Sequence, residues 1–455
     1  MNKQALSPND TIRPMAYWYR RVFFLAVPLI LSNLTQPLLS TVDTVLSGHL
    51  PGAAALGGVA VGGIFFNTIY WTFGFLRMGT TGLVAQAHGA EQHDQLRLHF
   101  LRALLSAVAI GALILLAQGP LITVAIRLLG ASDAVAANAR VYSHIRIWSA
   151  PAALTNFVIL GYLLGRQRAR TALALQAAIN VVNVCMALFL VLRLHWGVAG
   201  IATATASAEW VGCLLGLALA RDAARHPDKH PLSRSELLHG PGLRRLFALN
   251  RDLLLRTLSL VAAYAWFTRA GAREGDAVLA ANAVLMNMNY IAAYGLDGFA
   301  NATEALVGES IGARRLNDYR AVLKASAVWA FLVAGAGSLV YLIAGAWLVG
   351  VFTNVEAVRV LAMRYLPWAV SLPIVSVAGF QLDGVFIGAT RVRELRDSML
   401  VSFLVFLGLA IGLERLFGNN GLWFAFCGFM AMRGVMLGLR LPRIERGIKW
   451  AVPVS

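Results

Sequence analysis

The chain has 455 residues, of which 58% are hydrophobic and only 13% charged, with a mean hydropathy of +0.66. Soluble globular chains carry about 25% charged residues and lack repeated apolar runs of this length, so that class is excluded. The formal charge of +17 falls largely in short loops between apolar runs. That positive-inside pattern makes anionic lipid the electrostatic partner rather than nucleic acid.

Residues 1–22 are polar and carry Lys3, Arg13, Arg20 and Arg21, so the first apolar run is expected to act as an uncleaved anchor starting in the cytoplasm. Twelve apolar runs follow, near 23–48, 56–82, 101–126, 142–165, 171–192, 197–220, 248–268, 277–305, 324–351, 362–388, 397–416 and 420–439. The N-tail, the even-numbered connections and the C-tail (441–455) hold most of the lysines and arginines. Both termini are therefore expected on the cytoplasmic side of a bacterial inner membrane.

Nothing in the first run ionises until Asp43. A carboxylate there costs at least about 2.5 kcal/mol at the bilayer centre, so it is expected to face a cavity. Burial disfavours its charged form, and such a group can take up and release a proton. No Lys or Arg shares its run. Pro28 and Pro37 each remove a backbone hydrogen bond and can bend the helix. Gln36 lies two turns before Asp43, on the same face of an unbroken helix. In the second run, Phe66 and Tyr70 are candidates to stack on flat, amphipathic or cationic solutes. Asn180 and Asn183 share a face of the fifth run, and Thr203 and Thr205 lie in the sixth. These amides and hydroxyls are either interhelical glue or a hydrogen-bonding shell for the carboxylate. Glu209, also in the sixth run, is either a second proton site or a polar packing contact.

Residues 221–246, rich in Pro, His and mixed charge, read as a cytoplasmic linker between lobes spanning 23–220 and 247–440. The linker histidines fit no zinc spacing, and no metal is expected. The second half offers Met286, Met288, Asp297 and Asp383 as cavity candidates, each Asp being followed by Gly. Arg251, Asp252 and Arg256 open the seventh run, so a salt-bridge network with Asp297 is the structural alternative. Otherwise the clear cations lie at the loops. Cys185, Cys213 and Cys427 sit inside apolar runs, in no disulfide or metal pattern.

A shift of 223 residues lays the second half on the first: Leu83-Val84 on Leu306-Val307, Gly89-Ala90 on Gly312-Ala313, and Gly161, Gly165, Arg168 and Arg170 on Gly384, Gly388, Arg391 and Arg393. Six runs per copy keep both copies in one orientation. The expected fold is all-α and polytopic, with twelve transmembrane helices in two six-helix lobes related by a pseudo-two-fold along the membrane normal. No nucleotide-binding or hydrolytic motif has the needed context, so an ion-driven transporter is expected rather than an enzyme.

The stretch Pro37-Leu-Leu-Ser-Thr-Val-Asp43-Thr-Val-Leu-Ser-Gly-His-Leu resembles the first-helix motif of multidrug and toxic compound extrusion transporters. Asn250 to Thr257, Leu296 to Gly308 and Asp383 to Thr390 resemble its branch of DNA-damage-inducible protein F. The resemblance covers essentially the whole chain. It implies an antiporter exporting small organic compounds against H⁺ or Na⁺ entry, with no cofactor beyond that gradient. It also makes Asp43 the coupling carboxylate, Pro28 the preferred hinge, and Asn183 and Thr205 polar neighbours of the carboxylate. Many members carry a second Asp in the fifth helix where this chain has Ala187. A sodium ion wants several oxygen ligands, so protons are favoured over sodium. A flippase for a lipid-linked substrate is the alternative transporter, and it would want a cavity richer in basic side chains. Nothing signals oligomerisation, so a monomer is expected.

Overall fold

The computed structural model describes residues 13–221, 234–237, 240–448 and 450, without the side chains of 36–38 and 234. Apolar runs have no water to satisfy their backbone, so they close their hydrogen bonds as helices. In the first half these are α1 (Met15–Gly48), α2 (Ala53–Thr72), α3 (Phe75–Gly89), α4 (His93–Leu116), α5 (Gln118–Leu128), α6 (Asp133–Arg146), α7 (Ala150–Gly165), α8 (Ala169–Leu188) and α9 (Gly197–Leu219). The short α10 (Arg234–Leu237) precedes α11 (Gly240–Arg273), α12 (Asp276–Gly312), α13 (Leu316–Phe352), α14 (Glu356–Gly388), α15 (Val392–Phe417) and α16 (Asn419–Gly447).

Eleven helical stretches among the described residues are long and apolar enough to cross a membrane. The remaining long helix, α11, contains the predicted run 248–268 but carries Arg251, Asp252, Arg256 and Arg269 along its length. The predicted run 101–126 is two helices, α4 and α5, divided at Ala117. Most of the linker assigned to 221–246 lies outside the described residues.

The 223-residue repeat recurs in the helix boundaries. Shifted by that offset, Ala53–Gly89 becomes Asp276–Gly312, and Asp133–Gly165 becomes Glu356–Gly388. The joints agree as well. Left-handed backbone occurs at Gly52 and Gly275 (φ +88° and +110°), Glu91 and Arg314 (both +56°), Gln167 and Thr390 (+57° and +53°), and His195 and Gly418 (+56° and +57°). Each pair is 223 apart. Helix contacts repeat in the same way: a side chain at Gly161 would strike the Arg77 carbonyl, and one at Gly384 the Ala300 carbonyl. Gly89 lies against the Glu309 carbonyl and Gly312 against that of Gln86. Small residues at these points let two backbones approach closely.

The halves differ in continuity. The first breaks between α2 and α3 at Phe73-Gly74, at Ala117, and through a 3₁₀ turn at Ile147–Ser149; α12, α13 and α14 run through the equivalent positions. A π-turn, Phe189–Arg193, also ends α8.

The chain divides into two compact units. Leu31–Val84 with His93–Asn250 forms one, in which α2 packs on α6, α4 on α7, and α9 on α6, α7 and α8. Met1–Ile30, Ala85–Gln92 and Arg251–Ser455 form the other, in which α14 packs against α12, α13 and α16, and α15 on α16. Its core gathers Phe267 of α11, Phe406 of α15, and Trp423 and Phe426 of α16. Nearby, Asn282 of α12 accepts from the Trp423 indole at 2.9 Å.

Candidate coupling site

Asp43 lies near the end of α1, and its Oδ1 is buried and accepts no hydrogen bond among the described residues. The neighbouring hydroxyls do not serve it. Thr44 donates to the Ser40 carbonyl at 2.8 Å and Ser47 to the Thr44 carbonyl at 3.0 Å. Such back-bonding keeps a helical hydroxyl satisfied within its own turn.

The charge that acts on Asp43 is Arg146, which the sequence reading missed. It occupies the last turn of α6, where a cation complements the helix dipole, immediately before the 3₁₀ turn. Its Nη1 donates to the Tyr142 hydroxyl at 2.6 Å. Its guanidinium carbon lies 4.8 Å from the Phe66 ring centre, 5.9 Å from Tyr70 and 5.6 Å from Tyr142. Three aromatic faces thus surround one cation, each a favourable cation–π contact. Its Nε is buried without a hydrogen-bond partner. The sequence signal for it is that Arg146 is the lone arginine inside the run 142–165.

Glu209, on α9, is the second carboxyl group acting on Arg146. It is fastened from α7: Asn156 Nδ2 donates to Glu209 Oε2 at 2.7 Å and to its carbonyl at 3.0 Å. The polar packing contact considered for Glu209 is therefore present. Asp43, Arg146, Glu209, Tyr70 and Tyr142 form one charged and aromatic cluster on α1, α2, α6 and α9.

The other predicted neighbours bond elsewhere. Asn183 Nδ2 donates to Thr205 Oγ1 at 3.0 Å, and Thr205 in turn donates to the Ile201 carbonyl. Asn180 accepts from Gln176 at 3.3 Å. Ala187 is fully buried. Pro28 is buried inside an uninterrupted α1, two residues before the division between units at Ile30. The side chains of Gln36 and Pro37 lie outside the described residues.

In the other unit, Asp383 of α14 is held by Arg256 of α11 and by Arg433 of α16, the latter at 2.6 Å. Both arginines reach the same oxygen, Oδ2. Asp252 pairs with Arg396 at 2.7 Å. The network considered around Arg251, Asp252 and Arg256 had Asp297 as its acid; the acid that Arg256 pairs with is Asp383. Met286 and Met288 are packed in the apolar core, and the Met288 carbonyl accepts the Tyr341 hydroxyl. Asp297 is half-buried on α12. The expectation that clear cations lie at the loops needs correcting: Arg433 is 2% and Arg256 7% exposed, and Arg146, half-buried, lies on a helix with its Nε enclosed. Aromatic faces and a shared carboxylate compensate them, which sequence position alone does not reveal.

Repeated membrane-length helices, a tandem architecture and a carboxyl group enclosed with an arginine among aromatic rings define a polytopic membrane protein of the transporter class. The MatE family model matches residues 28–189 and again residues 254–418, and the chain belongs to that family. It is 42% identical over 431 residues to DNA damage-inducible protein F of Escherichia coli, covering 95% of this chain and 94% of that one. It is 22% identical to a probable multidrug resistance protein NorM of Acinetobacter baylyi, over 93% and 96% of the two chains. Among solved structures, a MATE in the bent conformation superposes with a TM-score of 0.82 at 19% identity, over 95% and 98% of the chains. That likeness concerns the fold.

Proposed function

We propose that the protein is a secondary antiporter that exports amphipathic or cationic organic compounds in exchange for protons, with Asp43 as the proton carrier. The observation that carries this reading is the buried, unpartnered Oδ1 of Asp43 in a cluster with Arg146 and Glu209. A carboxyl group without a hydrogen-bonding shell can alternate between neutral and charged forms without breaking a network. Sodium would need several oxygens at once. Thr205 Oγ1 accepts from Asn183 and Ala187 offers no oxygen, which leaves Asn183 Oδ1 as the one unused oxygen among these three side chains. The multidrug designation of the Acinetobacter relative supports organic substrates. The placement of cations supports cytoplasmic termini in a bacterial inner membrane.

The test is dye efflux from proteoliposomes under separately imposed pH and sodium gradients. Proton-driven export by the wild type, lost in Asp43→Asn while that variant still inserts and folds, is the expected result. Wild-type export by Asp43→Asn removes the role. Export driven by sodium alone replaces the ion.

A further inference from the structure

Three rings suited to an organic cation, Phe66, Tyr70 and Tyr142, already hold one: the Arg146 guanidinium. An incoming cation and Arg146 cannot share those faces, because like charges at contact distance repel strongly in a low-dielectric interior. Among the described residues, the Arg146 guanidinium is held there by a hydrogen bond to the Tyr142 hydroxyl, and its Nε has no partner. Asp43 Oδ1 is also unsatisfied. Two buried polar atoms without a hydrogen-bond partner call for an explanation, and a second position for the guanidinium supplies one.

We propose that Arg146 is a resident cation of the Phe66–Tyr70–Tyr142 cage, displaced by substrate, and that an ionised Asp43 receives it when it leaves. This rests on the proton-carrier reading of Asp43 for its coupling, though not for the occupancy of the cage. The groups facing Arg146 are Asp43 from α1, Tyr70 from α2, Tyr142 from its own helix and Glu209 from α9. Glu209 is fastened by Asn156, so Asp43 is the carboxyl group left free to receive the guanidinium. With Asp43 protonated, Arg146 stays in the cage and keeps substrate out. With Asp43 ionised, Arg146 moves to it and the rings are vacated. Arg146 is thereby a specificity-determining residue that converts the charge of one carboxyl group into access to an aromatic site.

The experiment measures tetraphenylphosphonium binding to the purified full-length protein at pH 6 and pH 8. Wild type is expected to bind more tightly at pH 8. Arg146→Gln empties the cage, so its affinity at pH 6 should rise about tenfold, and its difference between the two pH values should shrink. Arg146→Lys, which keeps the charge without the flat stacking surface, should fall between the two. Binding at pH 6 that is unchanged or weaker in both variants overturns the proposal, because Arg146 would then support the site rather than fill it. Should Arg146→Gln fail to fold, the lysine variant decides alone. Loss of proton-driven export in Asp43→Asn tests the parent reading separately, since the gain at pH 6 requires no gradient.

Discussion

Asp383 receives two guanidiniums on a single oxygen, and the cost of breaking that arrangement depends on which partner is removed. Removing Asp383 leaves two buried arginines uncompensated, whereas removing Arg433 leaves a one-to-one pair with Arg256. Stranding buried charge costs about 3–5 kcal/mol. Asp383→Asn is therefore expected to lower the thermal unfolding temperature in detergent well below that of Arg433→Met; the reverse order would show that Arg433 acts chiefly through packing. The sequence exposed Asp43 and Asp383 because a carboxylate interrupting an apolar run stands out. Their partners were hidden by distance along the chain: Arg256 and Arg433 are 127 and 50 residues from Asp383. Arg146 lies 103 residues beyond Asp43, and three of its neighbours are uncharged rings. The hydrogen bond between Asn183 and Thr205 was equally unreadable, since polar residues in lipid-facing sequence carry no record of whom they bond.

Individual helices were more legible than their interruptions. Most predicted runs lie within one helix or one helical stretch, and the glycine matches at offset 223 fall at backbone contacts. Gly161 and Gly384 are the clearest, each set against a carbonyl of a neighbouring helix. Gly161→Val and Gly384→Val should each destabilise the protein by about 1–3 kcal/mol, because forced overpacking shifts backbone. The check is folded yield and thermal unfolding of the two variants side by side; tolerance of either would mean its helix pair can part at little cost. The breaks at Phe73-Gly74, Ala117 and Ile147–Ser149 do not interrupt the hydropathy. Each nevertheless has a helix-weakening residue beside it, Gly74, Gly119-Pro120 and Pro151, where the second half has Asp297, Leu342-Ile343 and Ile374 and continues as helix.

At the scale of the molecule, the division of the chain runs through α1 itself, after Ile30. Residues before that point pack in one unit and residues after it in the other, with Pro28 two positions away. A proline lacks the backbone N–H that would stiffen this segment. Pro28→Ala is expected to retain tetraphenylphosphonium binding while export slows at least several-fold, separating bending from recognition; equal loss of both would make Pro28 a packing residue. The repeat itself was legible as a constant offset, because six helices per copy preserve it. The assignment of Ala85–Gln92 to the unit formed mainly by the second half was not, since it follows from close helix contacts at Gly89 and Gly312.

The unequal continuity of the two copies carries a consequence for motion. An unbroken helix resists bending along its whole hydrogen-bonded ladder, whereas one interrupted by a 3₁₀ turn or a skipped bond can swing at that point. Backbone amides should exchange with deuterium faster around Gly74 and Ala117 than around Asp297 and Val340, their counterparts 223 residues on. The two copies share one design, and among the described residues these knuckles lie in the one bearing Asp43.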